Sequence, residues 1–121
     1  MTVLIMEDDE AYSYALSRAL TAAGRTPVLC SNWSEYLHRI ESDPTVRSAV
    51  LDIRLPPGSP NGVALARMTR NKRPGVKLVV VSSHPDLLAD VPSGVQAYPK
   101  SQSLADIVAA ANDYTDKPNL N

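Results

Sequence analysis

Chemically capable side chains stand at the ends of apolar runs in this sequence. Glu7 and Asp8 follow Thr2-Val3-Leu4-Ile5-Met6, and Asp52 follows Ala49-Val50-Leu51. Ser82 follows Leu78-Val79-Val80-Val81, and Lys100 comes just after Gln96-Ala97-Tyr98-Pro99. Three carboxylates brought together raise one another's pKa unless something compensates. At a separation of ~4 Å and an effective dielectric near 20, each repulsion costs about 4 kcal/mol. A hard divalent cation removes that cost: Mg²⁺ takes oxygen ligands, keeps waters, and needs one or two carboxylates plus a phosphate oxygen. Three carboxylates, one Mg²⁺ and the Lys100 ammonium cancel in formal charge. Such a set suits Asp52 as a carboxylate nucleophile that attacks phosphorus and forms an aspartyl phosphate. The metal and Lys100 would neutralise the equatorial oxygens, and the Ser82 hydroxyl would bind the new phosphoryl group.

Strands and helices must alternate to bring these groups to one edge. Thr2 to Met6, Val46 to Asp52 and Lys77 to Ser82 are apolar without alternation, which reads as strands buried on both faces of a parallel sheet. Thr26 to Cys30 and Gln96 to Pro99 carry Pro27 and Pro99, which places them on sheet edges. Helices are expected from about Glu10 to Ala23, with Tyr12, Ala15, Leu16, Ala19, Leu20 and Ala23 on the apolar face and Gly24 ending the helix, and over the stretch with Trp33, Tyr36, Leu37 and Ile40 on one face. A third is expected from Gly62 to about Arg73, and a last one buries Leu104, Ile107, Val108 and Ala111 behind a cap at Ser101 or Ser103. Arg67 to Arg73, the densest basic stretch, reads as the wet face of the third helix. Between Pro85 and Pro92 there is room for two helical turns at most.

This alternation predicts a flavodoxin-like α/β three-layer sandwich. Its five-stranded parallel sheet has the order 2-1-3-4-5, with the helix between the fourth and fifth strands reduced or missing. That order puts both proline-bearing strands at the edges. It also reverses chain direction between strands one and three, where open α/β sheets bind ligands. Glu7, Asp8 and Asp52 meet at that point.

The chain has 121 residues, 44% of them apolar, and a net charge of -1. One domain with a real core is the expectation. Nothing in the charge pattern calls for a nucleic-acid or membrane partner. Cys30 is the single cysteine, so no internal disulfide forms, and a reduced, cytoplasmic setting fits. No G-x-x-x-x-G-K or G-x-G-x-x-G loop is present.

In order and spacing, Leu4-Ile5-Met6-Glu7-Asp8-Asp9, Leu51-Asp52-Ile53-Arg54-Leu55-Pro56, Val79-Val80-Val81-Ser82 and Lys100 resemble a receiver domain of bacterial two-component response regulators. The resemblance covers nearly the whole chain. It implies that Asp52 is the phosphoacceptor, that Glu7 and Asp8 hold Mg²⁺ with Asp52, and that the backbone carbonyl of Arg54 completes the metal site. It implies further that Ser82 is the switch hydroxyl and Lys100 the phosphate-binding lysine. The expected partners are a histidine kinase or histidine phosphotransfer protein and a downstream protein. On this reading the chain is a phosphoacceptor and not a turnover enzyme. Residues 1–114 form the receiver domain and 115–121 a flexible C-terminal tail that leaves no room for an output domain. Two departures from the family pattern stand out. The helix before the fifth strand is nearly deleted, and Tyr98 lies two residues before Lys100 where the family's switch aromatic commonly lies three before.

Each piece has a plainer reading alone. Glu7 to Glu10 is an ordinary acidic helix start, Lys100 a surface lysine, and Tyr98 edge-strand packing. Ser82 and Ser83 are adjacent, so the switch hydroxyl is open between them. A receiver-like interaction module that takes no phosphoryl group, and a receiver fragment of a hybrid kinase or transcription regulator, are the competing functions. A flavin-binding domain is disfavoured, because acidic residues stand where its phosphate would bind.

Overall fold

Strand and helix alternate along the chain in the order β1 (Thr2–Met6), α1 (Glu10–Ala22), β2 (Thr26–Leu29), α2 (Trp33–Ser42), β3 (Val46–Asp52), α3 (Gly62–Lys72), β4 (Lys77–Ser82), β5 (Gln96–Pro99) and α4 (Leu104–Asn112). The structure, a computed structural model, describes residues 1–55, 58 and 60–112. The tail expected over 115–121 lies outside the described residues.

All strand pairs are parallel, and the sheet order is β2-β1-β3-β4-β5. This is the flavodoxin-like sandwich expected from the sequence, with the proline-bearing strands at its edges. The central strands are apolar throughout because each face meets a different helical layer. Leu4, Met6, Ala49, Leu51, Leu78 and Val80 pack with Tyr36, Leu37 and Ile40 of α2 and Leu65 and Ala66 of α3. Val3, Ile5, Val50, Val79 and Val81 pack with Leu16 and Leu20 of α1 and Ile107, Val108 and Ala111 of α4.

Helix ends follow local chemistry. Asp9, Asn32 and Asn61 cap α1, α2 and α3 by accepting hydrogen bonds from Tyr12, Glu35 and Ala64 N–H. Ser103 is the cap at α4, its Oγ accepting from Asp106 N. Gly24, at φ +82°, ends α1 as expected. Two assignments to buried faces do not hold. Ala23 is the exposed C-cap residue of α1, and Trp33, in the first turn of α2, is 37% exposed. First-turn and cap positions lie where the helix leaves the sheet, so periodicity overextends the stripe there.

Between β4 and β5 the chain makes only a 3₁₀ helix, Pro85–Asp90, with no fully buried residue. At about three residues per turn this is two turns. Leu87, Leu88, Val91 and Val95 rest partly buried against the core. Basic side chains of α3 hold the segment: Arg67 donates to Asp90 O at 3.4 Å and Arg70 to Ser93 O at 2.6 Å. Arg73, just past α3, donates to Ile40 O, Asp43 O and Val46 O at 3.0, 2.7 and 2.7 Å, tying the end of α2 to β3. The stretch read as a wet helix face is therefore partly a set of main-chain clamps. Sequence periodicity registers the charge, but it does not show which loop carbonyls the long stems can reach.

Candidate functional site

Strand register builds the site. Met6 pairs with Leu51, Leu51 with Val80, and Val80 with Ala97. One step further, Glu7 and Asp52 stand on neighbouring strand ends, and one more step brings in Asp8, Ser82 and Pro99, with Lys100 following. One oxygen from each of Glu7, Asp8 and Asp52 lies within 4.8 Å of the others, forming a group able to hold a metal ion. The four consecutive acids from Glu7 to Glu10 divide the work. Asp9 caps α1, Glu10 opens its first turn, and Glu7 and Asp8 join Asp52.

Asp52 is 5% exposed, so its carboxylate is sunk below the surface. Lys100 reaches across to it, and α3 starts close against its main chain. Lys100 Nζ donates to Glu7 Oε2 at 2.9 Å and to Asp52 Oδ2 at 3.4 Å, and lies 2.8 Å from Glu7 Oε1. Burial would depress the Lys100 ammonium, but the hydrogen bond and charge of Glu7 and the charge of Asp52 outweigh it and raise its pKa. Burial pushes the Glu7 carboxyl up to about 7, against the Lys100 and Asp9 N–H hydrogen bonds.

The donors fit a hard cation. All are carboxylate oxygens, and Glu7 Oε1 is buried without an aligned hydrogen bond, leaving a lone pair to spare. One ammonium against three carboxylates also leaves negative charge for a divalent ion to neutralise.

Ser82, not Ser83, is the inward hydroxyl: Ser82 is fully buried and Ser83 exposed. Its Oγ donates to His84 O at 3.1 Å and accepts from His84 N at 2.9 Å. The hydroxyl is therefore spent on the loop that starts the 3₁₀ helix, and is not aimed at Asp52. The backbone of Ser82 still serves the site, because its carbonyl accepts from Lys100 N at 2.8 Å. Arg54 N–H lies 3.4 Å from Asp52 Oδ1, and the Arg54 guanidinium reaches His84 Nε2 at 3.3 Å, linking the loops after β3 and β4. Tyr98 is half-buried against the core layer of α1 and α4.

Sequence reasoning missed two contributors. Tyr12 read as one more apolar residue of α1, yet its ring centroid lies 4.9 Å from Lys100 Nζ. Gly62 read only as a helix start. A Cβ there would meet Asp52 O at 2.3 Å and Ile53 Cα at 2.9 Å. Only glycine lets α3 begin against the backbone of Asp52, with Gly62 N donating to Ile53 O at 2.9 Å. No local signal marks either role.

No protein-family model matches the chain. The chain is 30% identical over 116 residues to the DNA-binding transcriptional regulator NtrC of Escherichia coli (strain K12), covering 96% of this chain and 21% of that protein. It therefore spans about a fifth of the length of the curated relatives it matches. A response regulator receiver protein from Sinorhizobium medicae WSM419 superposes with a TM-score of 0.84 at 21% identity, over 98% of this chain and 97% of that one. The response regulator TrrA of Thermotoga maritima, in complex with Mg²⁺–BeF, gives 0.79 at 20% identity over 93% and 97%. The fold is that of the receiver domains of response regulators, as the sequence motifs implied. Among the described residues no helix is long and apolar enough to cross a membrane.

Proposed function

We propose that the chain is a phosphoacceptor receiver in a two-component phosphorelay, taking a phosphoryl group on Asp52 from a histidine kinase or histidine phosphotransfer protein. The observation that carries the reading is the convergence of Glu7, Asp8 and Asp52 oxygens within 4.8 Å, with Lys100 bridging Glu7 and Asp52. In the step, an Asp52 carboxylate oxygen attacks phosphorus in line. The bond from phosphorus to the donor's imidazole nitrogen breaks, and that nitrogen keeps the electron pair and takes up a proton. Lys100, whose Nζ lies 3.4 Å from Asp52 Oδ2, would neutralise the phosphoryl oxygens. Glu7, Asp8, Asp52 and the Arg54 carbonyl would hold Mg²⁺, which when bound supplies further positive charge there. TrrA, of the same fold, is in complex with Mg²⁺–BeF, and this supports the choice of metal. Ser82 would leave His84 to bind the new phosphoryl group.

On this reading the chain is a cytoplasmic switch or relay that acts by protein–protein contact and not by turnover. NtrC is named a DNA-binding transcriptional regulator, and the chain spans 21% of it. A second reading follows from that span: the chain is the receiver portion of a longer regulator.

The experiment is labelling with acetyl phosphate and Mg²⁺, read by intact mass. Wild type should gain one phosphoryl group that is lost with chelator and absent in Asp52→Asn. The Asn variant should stay folded, because it removes a charge from a crowded acidic cluster and keeps the shape of a buried side chain. A phosphoryl adduct of full yield on Asp52→Asn would reject the assignment, and an unlabelled wild type would favour an interaction module that takes no phosphoryl group.

A further inference from the structure

Tyr12 is the side of the site that the three carboxylates and the amine do not account for. It stands in the first turn of α1, where Asp9 Oδ1 accepts its backbone N–H at 3.1 Å. Asp9 N in turn donates to Glu7 Oε2 at 3.0 Å, the same oxygen that accepts from Lys100 Nζ at 2.9 Å. The helix cap, the Glu7 carboxylate and the Lys100 ammonium thus form one connected chain, and the Tyr12 ring closes it from the other side, 4.9 Å from Nζ. That distance is within the reach of a cation–π interaction, which strengthens where the cation is shielded from water. The Lys100 side chain is 14% exposed. Its backbone is held separately, through Lys100 N to Ser82 O at 2.8 Å. The ammonium is therefore fixed by three things: a main-chain anchor on β4, two carboxylates, and an aromatic face.

The ring and the hydroxyl of Tyr12 separate cleanly. Tyr12 Oη is buried and has no hydrogen-bond partner, so the hydroxyl anchors nothing and the ring alone carries the interaction. Burial, followed by the charges of Glu7 and Asp52, pushes its phenol up to about 12.

We propose that Tyr12 is a positioning residue for Lys100, its ring face steering the ammonium during phosphoryl transfer to Asp52. The carboxylates alone would hold the amine against Glu7, which is closer to it than Asp52 by about half an ångström on the distances above. The ring attracts the cation without regard to which oxygen it faces. The ammonium can then turn from Glu7 toward an incoming phosphoryl group while staying in place. The proposal rests on the acceptor reading of Asp52, and it involves no contact of Tyr12 with the phosphodonor.

The test compares wild type, Tyr12→Phe and Tyr12→Leu as full chains, with acetyl phosphate as the probe at saturating Mg²⁺. Lys100 side-chain NMR resonances are followed in parallel. Tyr12→Phe keeps the ring and should label within about twofold of wild type, with the ring-current shift of the Lys100 ε-methylene retained. Tyr12→Leu should label about 3- to 10-fold more slowly, the range expected for loss of one cation–π interaction. It should also lose the ring-current shift and keep its Mg²⁺ affinity. Tyr12→Met replaces it should the Leu variant fail to fold. A folded Leu or Met variant labelling at the wild-type rate overturns the proposal, and so does a Phe variant as slow as the Leu one. Failure of the acceptor reading looks different: wild type itself then takes no label, while its ring-current shift remains.

Discussion

Lys100 leans on Glu7 more closely than on Asp52: its Nζ is 2.8 Å and 2.9 Å from the two Glu7 oxygens and 3.4 Å from Asp52 Oδ2. The amine thus occupies one of the carboxylates assigned to the metal, and the two cations compete for it. Lys100→Met should move two measurements in opposite directions. Mg²⁺ should bind more tightly, because Glu7 loses a rival cation. Labelling at saturating Mg²⁺ should slow by at least about tenfold, because the phosphoryl oxygens lose an ammonium of the kind whose removal typically costs that much or more. Calorimetry and intact-mass labelling check the pair, and weaker metal binding in the variant would contradict the competition.

Metal affinity should fall more for Asp8→Ala than for Glu7→Gln. Asp8 is exposed and carries no interaction with Lys100, so its oxygens are free for an ion, whereas Glu7 is already shared. Loss of Asp8 should cost at least the roughly 10-fold typical of partners one shell further out. Titration of Mg²⁺ against an intrinsic fluorescence or NMR signal reads this. Equal losses in the two variants would mean the ion sits between the carboxylates and does not favour Asp8.

Gly62→Ala should damage the site without touching a charged group. The new methyl would sit 2.3 Å from Asp52 O and 2.8 Å from its carbonyl carbon, and main chain cannot yield as a flexible side chain can. Overpacking of this kind costs roughly 1–3 kcal/mol. Urea melts should show that loss, and labelling should slow as α3 pulls the loop after β3 away from Asp52. An Ala variant with wild-type stability and rate would show that α3 can shift outward without disturbing Asp52.

The segment from Ser83 to Gly94 should exchange amide hydrogens faster than any other internal stretch among the described residues. It has no fully buried residue in its 3₁₀ helix and depends on Arg67 and Arg70 for its hold. Phosphorylation should change it at a defined point. His84 O accepts from both Ser82 Oγ and Leu87 N, and His84 N donates to Ser82 Oγ. When the hydroxyl turns to the phosphoryl group, protection of His84 N–H should fall first. Hydrogen exchange with and without Mg²⁺–BeF reads this, and unchanged protection at His84 would separate Ser82 from the response.

Much of the fold was legible because both sheet faces are covered. The strands Thr2–Met6, Val46–Asp52 and Lys77–Ser82 announce themselves as unbroken apolar runs, and Pro27 and Pro99 mark the edges. The acidic cluster was legible because strand ends of a known order must meet. What stayed hidden depends on the path of the backbone in space. The burial of Asp52, the aromatic wall at Tyr12, the close approach at Gly62 and the reach of Arg73 are all contacts between residues far apart in sequence, and composition and periodicity carry no record of them.

Arg67 and Arg70 grip the short segment before β5 by the carbonyls of Asp90 and Ser93, not by any side chain. A clamp on main chain does not discriminate among the residues it holds. Substitutions along that segment can accumulate without loosening it, provided the carbonyls stay in place. The same segment also starts at the hydroxyl expected to sense the phosphoryl group. On the proposed reading, the face with most freedom in its side chains is therefore also the one that would respond to phosphorylation, so its sequence can vary without disturbing the carboxylates at the sheet edge.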